Sequence, residues 1–95
     1  MYTHFKIPFL NLENYTLNVD IVKTIPEEMA RSFQVIALER WGNILTIGMV
    51  NPEDEHNKRI LESRIKCKIM PFRVNINEWA NAVNNTYLRE DKNGE

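Results

Sequence analysis

The chain has 95 residues, of which 43% are hydrophobic and 26% are charged, and its formal net charge is −1. This length and composition predict one domain over residues 1–95, with a modest core over about residues 5–88. A charge so near zero excludes a strong overall attraction to nucleic acid or to an acidic membrane surface. The single cysteine excludes an intrachain disulfide, and the absence of about 18 uninterrupted apolar residues excludes membrane insertion through a spanning helix.

The first third of the chain predicts an extended arm followed by two short helices. Residues 5–12 favour extended backbone, and Pro8 restricts them to an edge strand or a strand-like arm because proline has no N–H for a ladder. Asn18 is expected to cap a helical turn over residues 19–24, with Val19, Val22 and Ile25 on one side. A second helix is expected over residues 26–33, with Pro26 at its first position.

Two β-prone runs in the middle of the chain predict a central hairpin. Residues 35–38 and 44–50 flank a connection that contains Gly42-Asn43, which is typical of a β-hairpin. We expect one of Leu45 and Ile47 to face the core, and both to face the same layer only if helices cover both sides of the sheet. Asn51-Pro52 then ends the strand, and the acids that follow predict a helix over about residues 53–65, with Asn51 as its cap.

The last third predicts a strand and an amphipathic helix. Residues 67–74 favour a strand near a sheet edge, in which Lys66, Lys68 and Met70 share one face. Asn75 or Asn77 is expected to cap a helix that buries Trp79 and ends near residue 88, before a disordered tail over residues 89–95. The fold class predicted is α/β (α+β): a small mixed sheet with a central hairpin, a β-α-β crossover and helices packed against it.

The sequence contains no catalytic pattern, and we expect the chain not to be an enzyme. Neither serine, Ser32 or Ser63, lies in a nucleophile elbow. The acids before His56 lack convergent ligands on a second helix, so we expect no metal site and no cofactor. Cys67 alternates with Ile69 and is interpreted as a small buried hydrophobe.

One end of the predicted sheet offers residues suited to protein docking. Trp41 and Arg40 lie beside the hairpin turn, and Lys66 and Lys68 lie at the start of the late strand. A right-handed crossover makes the return strand and the late strand parallel, which places both groups at the same end of the sheet. An exposed tryptophan near steering charges is typical of a protein interface. The alternatives are that Trp41 packs onto a neighbouring strand and that the lysines are only solvated.

The order of several short motifs resembles the N-terminal domain of bacterial type II secretion and type IV pilus assembly ATPases, the GspE/PilB/MshE-like domain. The resemblance covers about residues 7–88. Its motifs, in chain order, are Ile7-Pro8-Phe9-Leu10-Asn11-Leu12, Tyr15, Ile25-Pro26-Glu27-Glu28-Met29-Ala30-Arg31-Ser32-Phe33, Met49-Val50-Asn51-Pro52, Pro71 and Tyr87. The chain departs from the family at Trp41, where a polar turn residue is usual, and at Ile65-Lys66, where Thr-Gly is common.

The resemblance implies a non-catalytic, regulatory or docking module. Its partner would be a secretion or pilus ATPase or an inner-membrane platform protein, and its location would be cytoplasmic or peripheral to the inner membrane through that protein. The alternative is a domain that senses cyclic di-GMP. The family's cyclic di-GMP repeats, of the type Arg-Leu-Gly-x-x-Leu, and its ATP-binding phosphate loop are both absent from the 95 residues. We therefore expect no binding of ATP and no tight binding of cyclic di-GMP.

Overall fold

A three-stranded mixed sheet organises the chain, whose computed structural model describes the backbone of residues 7–94 and the side chains of residues 7–87. The strands are β1 (Val35–Trp41), β2 (Ile44–Met49) and β3 (Lys68–Arg73), and β2 lies between the other two. β1 and β2 pair antiparallel as a hairpin, whereas β2 and β3 pair in parallel. The predicted hairpin, crossover and fold class are therefore confirmed.

The hairpin contains a two-residue turn and a β-bulge. Gly42 has φ of 61° at the first turn position, which is the glycine position of a type II′ turn. The register shifts between Ala37 and Glu39, so Leu38 is the extra residue of the bulge. β1 begins with four consecutive buried residues, 35–38, and ends with three exposed ones.

The central strand β2 is buried along most of its length. Leu45 and Ile47 are both fully buried, so both face the core and not one alone. Side chains two residues apart point to the same side of a strand, and both therefore enter the same layer. On the other side, Gly48 allows close packing, since a Cβ there would lie 2.9 Å from Cγ1 of Val74.

The N-terminal arm extends the sheet beyond β3. Phe9 forms a parallel bridge with Arg73, whose N–H donates to the Pro8 carbonyl at 2.8 Å, while the Leu10 N–H donates to the Arg73 carbonyl at 2.9 Å. The predicted strand-like arm is thus confirmed. A 3-10 turn (Leu12–Asn14) ends the arm, and the Leu12 N–H donates to Oε1 of Glu78 at 3.0 Å.

Two short helices, α1 (Val19–Val22) and α2 (Glu27–Phe33), pack against β1. The Asn18 side chain accepts from the Asp20 N–H, which confirms the predicted cap. Val22 and Ile25 are fully buried, whereas Val19, the third residue predicted for this side, is 37% exposed. α1 has a single turn, so Val19 lies at its open end and not within a packed stripe.

The crossover helix α3 (Glu55–Ile65) begins later than the sequence predicts. Asp54, and not Asn51, is its cap: the Asp54 side chain accepts from the Asn57 N–H at 3.0 Å. Asn51 instead donates to the Gln34 side chain at 3.3 Å. Aspartate is as good an N-cap as asparagine, so the pattern of residue types did not distinguish the two positions.

A lysine forms the tight turn between α3 and β3. Lys66 adopts a left-handed conformation with φ of 58°, and its N–H donates to the Glu62 carbonyl at 2.9 Å. The Glu62 side chain then accepts from the Ile69 N–H at 3.0 Å. The turn that glycine commonly makes in the family is therefore made here by a residue with a Cβ, which is a strained conformation.

The last helix, α4 (Ile76–Gly94), ties the helices to the sheet. Asn75 caps it, as one of the two predicted alternatives, by accepting from the N–H groups of Asn77 and Glu78. The buried Trp79 donates from Nε1 to the Val35 carbonyl at 3.0 Å. Helix-favouring residues continue past 88, so the predicted helix end there is wrong. Disorder of residues 89–95 stays a prediction, because their side chains lie outside the described residues.

Tyr87 anchors the far part of α4 to the two short helices. Its hydroxyl lies 2.7 Å from the Ile25 carbonyl and 3.1 Å from the Val22 carbonyl. Burial is the largest cause that raises the pKa of Tyr87 to about 12. The neutral phenol is therefore the form that the fold stabilises, and its hydroxyl lies against backbone carbonyls at and just beyond the C-terminal end of α1.

Candidate protein-docking surface

A groove of about 250 Å3 opens on one face of the sheet. Most of its wall is apolar, and one carboxylate, that of Glu39, lies within it. The residues that line it are Leu10, Tyr15, Leu38, Glu39, Trp41, Thr46, Met70 and Phe72. They come from the arm, from all three strands and from the bulge, so the whole fold contributes to its shape.

The arm forms one wall of the groove and is fixed over the bulge. The Tyr15 hydroxyl donates to the Leu38 carbonyl at 3.2 Å, and Leu10 lines the same wall. Partial burial, and then the charge of the nearby Glu39, raise the pKa of Tyr15 because both disfavour the phenolate. Tyr15 therefore stays a neutral hydrogen-bond donor that holds the arm in place.

Two large apolar side chains at this surface are exposed. Trp41 is 66% exposed and Met70 is 50% exposed. The interpretation that Trp41 packs onto a neighbouring strand is thus not favoured. Large exposed side chains beside an open groove are typical of interaction sites, since a partner can bury both at once.

The structure brings Lys68 into one row with Trp41. Trp41 pairs with Ile44, and Ile44 pairs with Lys68, so the three lie side by side across the sheet. The Lys68 N–H donates to the Asn43 carbonyl at 2.8 Å, which joins the hairpin turn to the start of β3. Lys66 is exposed two residues earlier, in the left-handed turn. The register thus places Trp41 and Lys68 at one end of the sheet, and their role in docking stays a prediction.

Arg40 is placed differently from its neighbour Trp41. It pairs with Leu45, so strand alternation directs it to the opposite face of the sheet. Its Nε donates to the Gly42 carbonyl at 3.0 Å, across the hairpin turn. Arg40 therefore supports the turn, and its place in a shared docking surface with Trp41 stays a prediction.

Sequence reasoning missed Glu39, Met70 and Phe72 as members of this surface. Met70 had a usable signal, because it shares a face with Lys68 by alternation. Glu39 had the same kind of signal, because it precedes Trp41 by two residues in β1 and therefore shares its face.

Other candidate positions lie outside this surface. An opening of about 320 Å3 lies along α3 and is lined by His56, Arg59, Ile60, Ser63 and Arg64. In the described part of the chain, no group of three His, Cys, Asp or Glu side chains is placed to hold a metal ion. Cys67 is 5% exposed, as expected of a small buried hydrophobe.

A family model provides the decisive comparison. The model of the MshEN domain matches residues 5–93. The chain belongs to the MshEN domain family. This match covers nearly the whole sequence, and it confirms the resemblance to the N-terminal domain of secretion and pilus assembly ATPases.

Solved structures show the same fold. One is described as MshE with cdg; it has a TM-score of 0.79 and 21% identity to this MshEN domain, and the match covers 85% of this chain and 59% of the other. Two crystal forms of the N-terminal domain of XpsE have TM-scores of 0.68 and 0.70, each with 9% identity and coverage of 81% of this chain and 55% of theirs. This chain thus spans less than two thirds of the length of these structures.

No curated protein sequence matches this MshEN domain significantly. Among the residues that the structure describes, we find no helix with the length and apolar character needed to cross a membrane.

Proposed function

We propose that this MshEN domain is a non-catalytic docking module. Its partner would be the ATPase or an inner-membrane platform protein of a secretion or pilus machine, which would place it at the cytoplasmic side of that membrane. Family membership supports the class of machine. The observation that supports docking most directly is the exposed Trp41 in one row with Lys68, beside an apolar groove.

The chemistry of this surface suits a protein partner better than a small substrate. Trp41 and Met70 offer apolar area, and burial of such side chains supplies most of the binding free energy at protein interfaces. Lys66 and Lys68 are exposed at the same end and would steer an acidic patch toward it. The partner would therefore present an apolar side chain flanked by carboxylates.

Charge reversal tests this proposal. Lys66→Glu with Lys68→Glu should slow association with the purified ATPase or platform protein and weaken its salt dependence, because steering acts mainly on the association rate. The measurement is surface plasmon resonance at several salt concentrations. Arg59→Glu with Arg64→Glu, which makes the same charge change on α3, is the matched control and should leave the rate near that of the unsubstituted chain. If both pairs slow association equally, the effect is one of net charge and the docking surface is wrong.

Cyclic di-GMP sensing is the second candidate function. It is favoured by the structural match to MshE with cdg. Against it, the 95 residues contain no Arg-Leu-Gly-x-x-Leu repeat, and none of their three glycines opens a phosphate loop.

We expect isothermal titration calorimetry with cyclic di-GMP and with ATP to show no binding to residues 1–95. The physical reason is that the 95 residues contain neither the glycine-rich phosphate loop nor the Arg-Leu-Gly-x-x-Leu repeats. GTP serves as the control for unspecific nucleotide binding. A micromolar affinity for cyclic di-GMP, without one for GTP, would replace docking by nucleotide sensing as the function.

A further inference from the structure

Six side chains form two parallel rows on the face of the sheet that holds the groove. Directly paired residues share a face, and so do residues two apart in one strand. The first row is Glu39–Thr46–Met70, and the second is Trp41–Ile44–Lys68. Four of the six, namely Glu39, Trp41, Thr46 and Met70, line the groove, which confirms that they converge on one side.

The two rows form a patch, and charged and apolar side chains alternate around its four corners. Glu39 and Lys68 occupy one diagonal, and both are exposed. Trp41 and Met70, 66% and 50% exposed, occupy the other. Strand spacing and rise make the patch about 10 Å wide and about 7 Å long between corner Cα atoms. Within the described part of the chain, no salt bridge engages Glu39 or Lys68.

We propose that this patch binds the same patch of a second copy of the chain. Consider a twofold axis that runs along the Trp41–Met70 diagonal, in the plane between two facing sheets. It places Glu39 of each copy opposite Lys68 of the other, so that two ion pairs form. It also stacks Trp41 on Trp41 and Met70 on Met70. An isologous interface requires this kind of self-complementarity.

The other simple axes do not give charge complementarity. An axis parallel to the strands sets Trp41 against Lys68 and Glu39 against Met70. An axis across the strands sets Glu39 against Trp41 and Lys68 against Met70. Only the diagonal axis pairs opposite charges, and it crosses the strands of the two sheets at roughly 70°, nearer to orthogonal than to aligned sheet packing. The charges therefore fix the geometry of the dimer, while the apolar corners supply its contact area.

Self-association would exclude docking, because both use Trp41 and Lys68. The inference uses the same surface as the proposed function and depends on that function in no other way. The patch is small compared with a standard interface of about 800 Å2 per partner, so the dimer would be weak and concentration-dependent. A high local concentration, as in an assembly with several copies, would favour it, and a tighter partner would displace the second copy.

Sedimentation velocity of the purified chain, from about 10 to 500 μM, tests the inference because weak dimers dissociate across this range. The sedimentation coefficient of the unsubstituted chain should rise with concentration. Glu39→Lys alone and Lys68→Glu alone should each remain monomeric, because each sets like charges against one another. Arg59→Glu, an exposed charge change on α3, should associate like the unsubstituted chain.

Two rescue experiments exclude misfolding as the cause. The double variant Glu39→Lys with Lys68→Glu exchanges the two charges and should associate again. An equimolar mixture of the two single variants should form a heterodimer, because both ion pairs are then restored. One pair joins the native Glu39 of one variant to the native Lys68 of the other, and the second pair joins the two substituted positions, whose charges are exchanged.

The inference is overturned if the unsubstituted chain is monomeric throughout, if the single variants associate as well as it does, or if neither the double variant nor the mixture recovers association. These measurements use the chain alone, so such a result would leave docking to another protein intact. Conversely, the charge exchange would not rescue docking to the ATPase or platform protein, whose own charges are unchanged.

Discussion

Ile47→Ala should lower the free energy of unfolding by about 2–5 kcal/mol, the range for truncating a buried isoleucine. Ile47 is fully buried in the central strand, between β1 and β3, where neighbouring strands leave little room for collapse around a cavity. A domain of this size has a total stability of about 5–14 kcal/mol, so the loss is a large share of it. Urea unfolding followed by circular dichroism should show a midpoint lower by roughly 1–3 M.

Ile76→Ala is the matched control for this measurement. Ile76 is 47% exposed at the start of α4, so the same truncation removes little buried area and should cost under about 1 kcal/mol. Leu45→Ala should resemble Ile47→Ala, because both side chains are fully buried on the same face. Equal midpoints for Ile47→Ala and Ile76→Ala would contradict the central position of β2 in the core.

The sequence was sufficient to predict the sheet because its signals were local or topological. The hairpin is indicated by alternation, by the glycine at the turn and by the proline after β2. The parallel pairing of β2 with β3 is the arrangement expected from the handedness of crossovers. Trp79 was predicted to be buried from helical spacing alone, and it is. These features depend on residue types at fixed spacings along the chain, and such spacings are visible in a single sequence.

The sequence did not predict features for which two residues are equally suited to one role, or for which a residue adopts a conformation that its type does not favour. Asn51 and Asp54 are both good helix caps, so residue type alone did not indicate that Asp54 takes this role. The left-handed Lys66 is imposed by the Glu62 contacts that close the turn, and not by its own preference.

The candidate docking surface was predicted only in part, because the topology could be inferred from the sequence and the bulge could not. Crossover topology was enough to bring Trp41 and Lys68 to one end of the sheet. The bulge at Leu38 was not foreseen, and alternation after it places Glu39 on the face of Trp41, within the groove, and Arg40 on the other face. The diagonal pattern of charges therefore became visible only once the register was known.

Trp41→Ala should weaken capture of the ATPase or platform protein while leaving the fold nearly intact. A central aromatic anchor contributes about 2 kcal/mol or more to an interface, so the dissociation constant should rise about 30-fold. Because Trp41 is 66% exposed at the end of β1, its removal leaves no internal cavity. The free energy of unfolding should therefore change by less than about 1 kcal/mol.

The second tryptophan of the chain is the matched control for this substitution. Trp79 is 7% exposed and donates to the Val35 carbonyl, so Trp79→Ala should cost about 3–5 kcal/mol and lower the melting temperature by roughly 15 °C or more. Calorimetric melting and binding to the immobilised partner, measured on both variants, separate the two roles. If Trp41→Ala melts as early as Trp79→Ala, then Trp41 is part of the core. If Trp41→Ala instead melts and binds like the unsubstituted chain, the partner engages another surface, because an exposed anchor that is buried on binding has to contribute to affinity.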